Sequence, residues 1–151
     1  MLRLTKKLIF AIDAVVDIAY NASEEPVQSR EIAERQRIPR RYLEQVLQHL
    51  VRAKILKGVR GPRGGYLLAR ERRRITLGQI ARVVRELENM EDETKEEVTS
   101  DLANQVLHPI WSEMQEDLMV RLDKITIEDI CRHATGLNIK RASDIKIDFT
   151  I

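Results

Sequence analysis

The hydrophobic residues in the first third of the chain recur at the spacing of α-helices and predict three of them. The first helix covers residues 5–22 and is apolar around most of its circumference, with Asp13 and Asp17 on a narrow side that we expect to face solvent. A second helix covers residues 29–36, with Ser29 placed to cap it. The third covers residues 40–53, with Pro39 at its first position, and its apolar residues form a single stripe: Leu43, Val46, Leu47, Leu50 and Val51.

Two short β-rich runs, ILKGV and YLLAR, follow the third helix and bracket a glycine-rich turn, RGPRGG, at residues 60–65. They predict a β-hairpin whose loop turns through Gly64 and Gly65 with positive φ. A helix, a short turn and an amphipathic helix make a helix-turn-helix, and a hairpin directly after it is a wing. Thr76 is placed to cap a fourth helix, which we expect to cover residues 77–87.

The second half of the chain has one strong pattern. Periodicity is weak over residues 89–107, and a helix resumes at Pro109. Its apolar seam is narrow, which is typical of packing against another helix and predicts a dimer: Trp111, Met114, Leu118, Leu122 and Ile125. Thr126 caps a short helix over residues 127–134, and the final DIKIDFTI alternates like a strand.

These elements predict a mainly α fold. Residues 1–88 form a winged helix-turn-helix domain with a β-hairpin wing, and residues 89–151 supply an acidic loop, a long C-terminal dimerisation helix and a tail. The charge follows the same division, because residues 1–88 hold 19 Lys and Arg against 10 Asp and Glu, and residues 89–151 hold 7 against 14. Asp13 and Asp17 interrupt the only signal-like start and no apolar stretch reaches membrane-spanning length, so we expect a cytoplasmic protein without membrane contact.

The polar face of the third helix carries side chains that suit base edges. A helix fits the major groove of B-DNA, where Arg, Asn and Gln read purines and Glu reads cytosine. An ordinary solvated helix face carries the same residue types, and from this face alone both interpretations stand equally. The residues that we assign to the DNA-reading face are Arg40, Arg41, Glu44, Gln45 and Gln48.

The predicted wing favours the DNA-binding interpretation. Arg60 and Arg63 lie at a thin hairpin tip, and narrow A·T minor grooves attract arginine through their negative potential. A simple hairpin loop explains the glycines but not the charge. Further residues are expected to contact phosphates, which position a protein without specifying sequence: Arg3, Lys6, Lys7, Arg52, Lys54 and Lys57. Ser29 is also assigned to the DNA-binding residues.

The segments SREIAERQRIPRRYLEQVLQHLVRAKIL, VRGPRGGYLLAR, ITLGQIARVV and HPIWSEM together resemble the Rrf-two family of winged-helix transcriptional regulators, the IscR- and NsrR-like proteins. The resemblance covers residues 1–131. It implies a homodimer that reads a palindromic operator, and it places Tyr42, Glu44 and Gln45 in the recognition helix and Arg60 in the wing. Arg63 departs from the family pattern, in which glycine is more usual.

Many members of that family hold an iron–sulfur cluster with three cysteines in the segment that precedes the tryptophan. Here the segment NMEDETKEEVTSDLANQVLH has no cysteine; Gln105 occupies the last cysteine position, and His108 matches a histidine ligand of some members. Since clusters depend on soft thiolate donors, we predict no cluster, no metal and no other cofactor, with His108 as a helix-start residue. The acidic run of Glu91, Asp92, Glu93, Glu96 and Glu97 offers hard carboxylate ligands for a divalent cation. Because the run has no fixed ligand spacing, a solvated negative segment is the simpler interpretation.

The single cysteine, Cys131, has two interpretations. Its position beside Ile127 and Ile130 on a short helix favours a buried, inert thiol. The alternative is a redox switch through a sulfenic acid or an intersubunit disulfide.

The sequence therefore predicts a dimeric, sequence-specific transcriptional regulator that binds double-stranded DNA through residues 40–53 and 60–65. We expect a repressor, since occupying promoter DNA blocks polymerase without further parts. The alternative is a protein-interaction module, controlled by or controlling a regulatory partner protein, in which DNA binding is secondary. An enzyme is not expected, because no catalytic triad, paired carboxylates or phosphate-binding loop is present in a supporting context.

Overall fold

The computed structural model describes residues 4–92 and 99–145 of the chain; the side chain of Asp92 is outside this description. The helices are α1 (Lys6–Asn21), α2 (Ser29–Gln36), α3 (Arg40–Arg52), α4 (Leu77–Asp92), α5 (His108–Asp123) and α6 (Ile127–Gly136). Strands β1 (Leu56–Val59) and β2 (Gly65–Leu68) pair as an antiparallel hairpin between α3 and α4. The mainly α, winged helix-turn-helix fold predicted from the sequence is confirmed.

Helix α1 runs through the centre of the molecule, as its all-round apolar pattern predicts. Thr5 caps it by accepting a hydrogen bond from the Leu8 amide, and Ala11, Ala14 and Val15 are fully buried. The expectation for Asp17 is wrong, because its side chain is completely buried rather than on a solvent-facing side. Its carboxylate accepts hydrogen bonds that offset the cost of burying the charge. The donors lie outside α1, so the sequence pattern of α1 alone does not predict them.

The partners of Asp17 come from the end of α2. Arg35 donates from Nε and Nη2 to the two carboxylate oxygens, at 2.9 and 2.7 Å, and the Gln36 amide donates to Oδ2 at 2.8 Å. This hydrogen bond to Asp17 raises the pKa of Arg35 above its ordinary value. The cluster of Asp17, Arg35 and Gln36 therefore fixes the first helix of the helix-turn-helix onto α1.

The turn between α2 and α3 is short and tightly held. Arg37 ends α2 in the left-handed region at φ 54°. The Ile38 amide donates to the Ala33 carbonyl, and the Ile38 side chain is buried.

The N-caps of α2 and α3 each differ by one residue from those predicted. Gln28 rather than Ser29 is the N-cap of α2, where the Glu31 carboxylate accepts from its amide, and Pro39 is the N-cap of α3 rather than its first residue.

Backbone hydrogen bonds join the hairpin to the start of the helix-turn-helix. Val27, immediately before the N-cap of α2, exchanges backbone hydrogen bonds with Tyr66 of β2 at 2.8 and 3.0 Å.

The predicted reason for the glycines of the hairpin loop needs correction. Among the described residues, Gly61 is the glycine with positive φ. Gly64 and Gly65 are needed for a different reason: a Cβ at these positions would lie 2.3 and 2.4 Å from neighbouring carbonyl oxygens.

Helix α4 extends further than predicted, to Asp92 instead of about residue 87. Thr76 caps it as expected, in a reciprocal arrangement in which Gln79 accepts from the Thr76 amide and the Thr76 hydroxyl accepts from the Gln79 amide. Residues 88–92 add about one and a half turns to this helix, so the segment that was expected to begin the acidic loop is helical up to Asp92. The predicted division at residue 88 falls inside α4.

Helix α5 begins at His108, directly after a π-helical turn at Ala103–Leu107. The predicted apolar seam does not form one exposed stripe. Leu122 is buried in the core of its own chain and Leu118 packs against that core, whereas Trp111, Met114 and Ile125 are exposed. The C-terminal half of α5 turns this side toward α4, which the spacing along α5 alone does not reveal.

Helix α6 is capped by Thr126 with a reciprocal bond from Asp129, and it buries Cys131 against the core. The tail returns to α1: the Tyr20 hydroxyl donates to the Ile139 carbonyl, and the Arg141 guanidinium lies 5.2 Å from the centre of the Tyr20 ring. Residues 142–145 form a helical turn, so Ile145 is not part of a strand; the rest of the predicted strand, residues 146–151, lies outside the described residues.

Candidate nucleic-acid interface

The polar face of α3 is exposed along its length, while its apolar stripe is buried. Leu43, Val46, Leu47 and Leu50 are fully covered by the core. No side chain of the polar face is held by a hydrogen bond or an ion pair to another described residue. The free, exposed side chains are Arg40, Arg41, Glu44, Gln45, Gln48 and Arg52. A row of donors and acceptors without protein partners is available to an external ligand.

Tyr42 is the exception within the predicted recognition set. Its side chain is half-buried, its hydroxyl donates to the Lys7 carbonyl at 2.6 Å, and its ring packs at a tilt on Phe10 with 6.1 Å between ring centres. Burial, together with the nearby Glu88 and Glu91 charges, raises the pKa of the phenol well above its ordinary value. Tyr42 therefore anchors the first turn of α3 to α1, and its hydroxyl is already used within the protein.

A groove of about 680 Å³ separates the wing from the helix-turn-helix. Ser29 at the start of α2, Arg40 at the start of α3 and Arg60 of the wing line it together, although they are far apart in sequence. Gln28 and Arg30 also line this groove, although they were not among the residues predicted from the sequence. Both are adjacent to Ser29 in the chain, which would have been a reason to include them. Arg63 is exposed on the same wing but does not line the groove.

Two further predicted phosphate contacts are exposed on α1 and α3. Lys6 is exposed in the first turn of α1, which the Tyr42–Lys7 hydrogen bond holds against α3, and Arg52 is exposed at the other end of α3. The neighbouring Lys7 forms an ion pair with Glu91 instead of facing outward unpaired. Arg3 lies outside the described residues.

These elements, in this order, are matched by known proteins. A family model named Rrf2, described as an iron-dependent transcriptional regulator, matches residues 4–133.

The chain belongs to the Rrf2 family.

Relatives agree with this assignment over nearly the whole chain. The HTH-type transcriptional regulator IscR of Xenorhabdus nematophila is 31% identical to this Rrf2 protein over 143 residues, which cover 95% of this chain and 87% of that protein. The solved structure of T. potens IscR superposes with a TM-score of 0.70 at 31% identity and covers 95% of this chain and 96% of its own. CymR, the global cysteine regulator of B. subtilis, superposes with a TM-score of 0.66 at 28% identity and covers 88% and 98%.

This Rrf2 protein is therefore a DNA-binding transcriptional regulator and not an enzyme. The exposed face of α3 and the wing groove are the parts of the molecule whose chemistry suits that function. Among the helices that the structure describes, none is both long enough and apolar enough to cross a bilayer.

The family description raises the question of whether an iron centre fits here. The chain has one cysteine, and it is buried in α6 rather than near His108, which is an exposed residue at the first position of α5. No cluster of three or more His, Cys, Asp or Glu side chains suited to a metal occurs among the described residues. Glu93, Glu96 and Glu97 of the acidic run lie outside them. One thiolate and one histidine on different elements do not fit an iron–sulfur cluster.

Cys131 occupies an environment that disfavours reactivity. It is 2% exposed, and burial raises the pKa of its thiol, which lowers the fraction of thiolate at neutral pH. The thiolate is the form that oxidants attack. This environment favours the interpretation of Cys131 as a packing residue over that of a redox switch.

Proposed function

We propose that this Rrf2 protein is a dimeric, sequence-specific repressor that acts in the cytoplasm on a palindromic operator without an iron–sulfur cluster. Helix α3 enters the major groove and the wing tip follows the adjacent minor groove. The observation that carries the proposal is the exposed polar face of α3, which has no partners among the described side chains and adjoins a groove lined by Ser29, Arg40 and Arg60.

Exposed apolar side chains on the first half of α5 and on the turn before it support the dimer. Leu102, Val106, Ile110, Trp111 and Met114 are each between 47% and 65% exposed, an unusual concentration of apolar side chains on one helical segment of a charged protein. A second copy of the same segment would cover it by isologous packing. The two α3 helices would then be related by a two-fold axis, which matches a palindrome.

A charge introduced at the centre of the proposed dimer interface should weaken self-association. Trp111→Glu should weaken self-association by about 2 kcal/mol or more, because it replaces a large apolar contact with a buried charge. Sedimentation equilibrium should give about twice the chain mass of 17.6 kDa for the wild type and a mixture richer in monomer for the variant. Leu137→Glu, at a residue that is 61% exposed on the end of α6, is the matched control and should remain dimeric. A monomeric wild type would contradict the proposal.

The wing predicts a salt-dependent effect. Arg60→Ala combined with Arg63→Ala should weaken DNA binding by roughly 10- to 100-fold and reduce the slope of log affinity against log salt by up to about 1.8, since each lost phosphate contact removes about 0.9. Fluorescence anisotropy titrations at several salt concentrations measure both quantities.

The control for the wing removes the same charge elsewhere. Arg121→Ala with Arg132→Ala takes two exposed arginines from α5 and α6 and should leave the salt slope close to that of the wild type. If the wing variant bound as the wild type does, or if the control lost as much affinity, the assignment of the wing to DNA would fail.

A further inference from the structure

Among residues 4–92 and 99–145, the contacts that hold helix α5 to the DNA-binding part of the molecule lie toward its C-terminal end. The Leu77 amide donates to the Ile125 carbonyl at 2.9 Å, and the Ile127 amide donates to the Ile75 carbonyl at 2.8 Å, so backbone bonds tie the turn directly after α5 to the segment that enters α4. Met119 and Leu122 pack in the core, whereas Trp111 and Met114 toward the other end are exposed. The helix is thus an arm with an anchored end and an exposed end.

A side-chain clamp sets the direction of that arm. Arg82 of α4 donates from both terminal nitrogens to the two carboxylate oxygens of Asp123 at the end of α5, at 2.8 and 2.7 Å. A bidentate pair of this kind fixes the relative orientation of the two groups as well as their distance. Because both side chains are partly exposed, the pair contributes little to folding stability, which leaves orientation as its main effect.

Gly78 completes the clamp. It is buried on the first turn of α4, where a Cβ would lie 1.8 Å from Asp123 Oδ1 and 3.1 Å from the Asp123 amide nitrogen. Any larger residue must therefore push the carboxylate away from its position. The absence of a side chain at residue 78 allows Asp123 to lie against α4 and reach Arg82.

We infer that the clamp of Gly78, Arg82 and Asp123 determines the distance between the two operator half-sites that the dimer accepts. The inference rests on the proposed dimer, because the exposed end of α5 joins the copies while its anchored end carries each DNA-binding unit. The angle held by the clamp then sets the separation and the rotation of the two α3 helices. These are positioning residues that do not touch DNA themselves.

The test uses duplexes that wild-type protein selects from a random pool, remade with one base pair added or removed between the half-sites. One base pair moves a half-site by about 3.4 Å and rotates it by about 34°, so a rigid dimer should lose at least about tenfold in affinity on either altered duplex. Arg82→Ala and Asp123→Ala should each reduce that penalty by at least about threefold. Arg132→Ala, which removes an arginine whose ion pair lies within α6, should keep the full penalty.

Gly78→Ala provides an independent route to the same result. Since it displaces the carboxylate, it should reduce the spacing penalty as Asp123→Ala does, and the two changes together should do no more than either alone. A base change within each half-site should lower affinity by the same factor in all these proteins, which separates spacing from base reading. Variants that merely unfold would lose affinity equally on every duplex.

The results distinguish a failure of the clamp's positioning role from a failure of the proposed dimeric operator. If all variants selected the same spacing with the full penalty, the clamp would have no positioning role, although the regulator would still be a dimer that reads a palindrome. If wild-type protein selected a single half-site, both the dimeric operator and the inference would be overturned.

Discussion

Replacement of Arg35 by alanine is expected to lower the free energy of unfolding by about 3 kcal/mol or more. The change leaves the completely buried Asp17 carboxylate with the Gln36 amide as its remaining side-chain donor among the described residues. Breaking a buried ion pair by removing one partner is costly because the other charge stays desolvated and uncompensated. Urea unfolding followed by circular dichroism, at a fixed protein concentration, measures the loss.

A second change should recover part of that stability. Adding Asp17→Asn to Arg35→Ala removes the uncompensated charge while keeping an amide that can bond Gln36, so the double variant should be more stable than Arg35→Ala alone. Arg30→Ala is the matched control on the same helix: its ion pair with Glu34 is largely exposed, and its loss should cost no more than about 0.5 kcal/mol. Equal losses for Arg30→Ala and Arg35→Ala would show that the buried cluster has no special role.

Replacement of Gln45 or Glu44 by alanine is expected to relax base preference at one position of each half-site by about 1–3 kcal/mol, which is about 5- to 150-fold. Both side chains are exposed in the leading half of α3, so neither change should alter stability appreciably. Selection of binding sites from a random pool, followed by sequencing, reports the preference at every position.

The control for this pair is Glu86→Ala, an exposed carboxylate on α4 outside the candidate interface. It should select the same motif as the wild type with the same preferences. Loss of preference spread evenly over all operator positions in the Gln45 variant would indicate general weakening of binding rather than the loss of one base contact, and it would argue against α3 as the reading helix.

The elements that could be predicted from the sequence are those governed by local pattern. The stripe from Leu43 to Leu50 recurs every three or four residues, so both the buried face of α3 and its exposed face follow from spacing alone. Thr5, Thr76 and Thr126 begin helices because a hydroxyl before an apolar period satisfies free amides, which is also a local effect.

The features that were missed depend on partners distant in sequence. Asp17 is buried because Arg35, eighteen positions away, supplies its counter-charge. Tyr42 belongs to an exposed helix by position, yet its hydroxyl contacts Lys7, and Leu122 continues a seam by spacing but meets α4. The glycine turn was found from composition, but Gly64 and Gly65 are needed because the Val59 and Val27 carbonyls approach them closely, which composition does not contain.

Competition binding shows whether α3 and the wing recognise the sequence of duplex DNA or only its charge. A duplex selected from a random pool should remain bound to the wild-type protein at physiological salt in the presence of excess random-sequence DNA, with a preference of at least about 10³ over non-specific sites. A protein that released its selected duplex to random DNA or to heparin in proportion to their charge would be a general polyanion binder, and α3 and the wing would not read sequence.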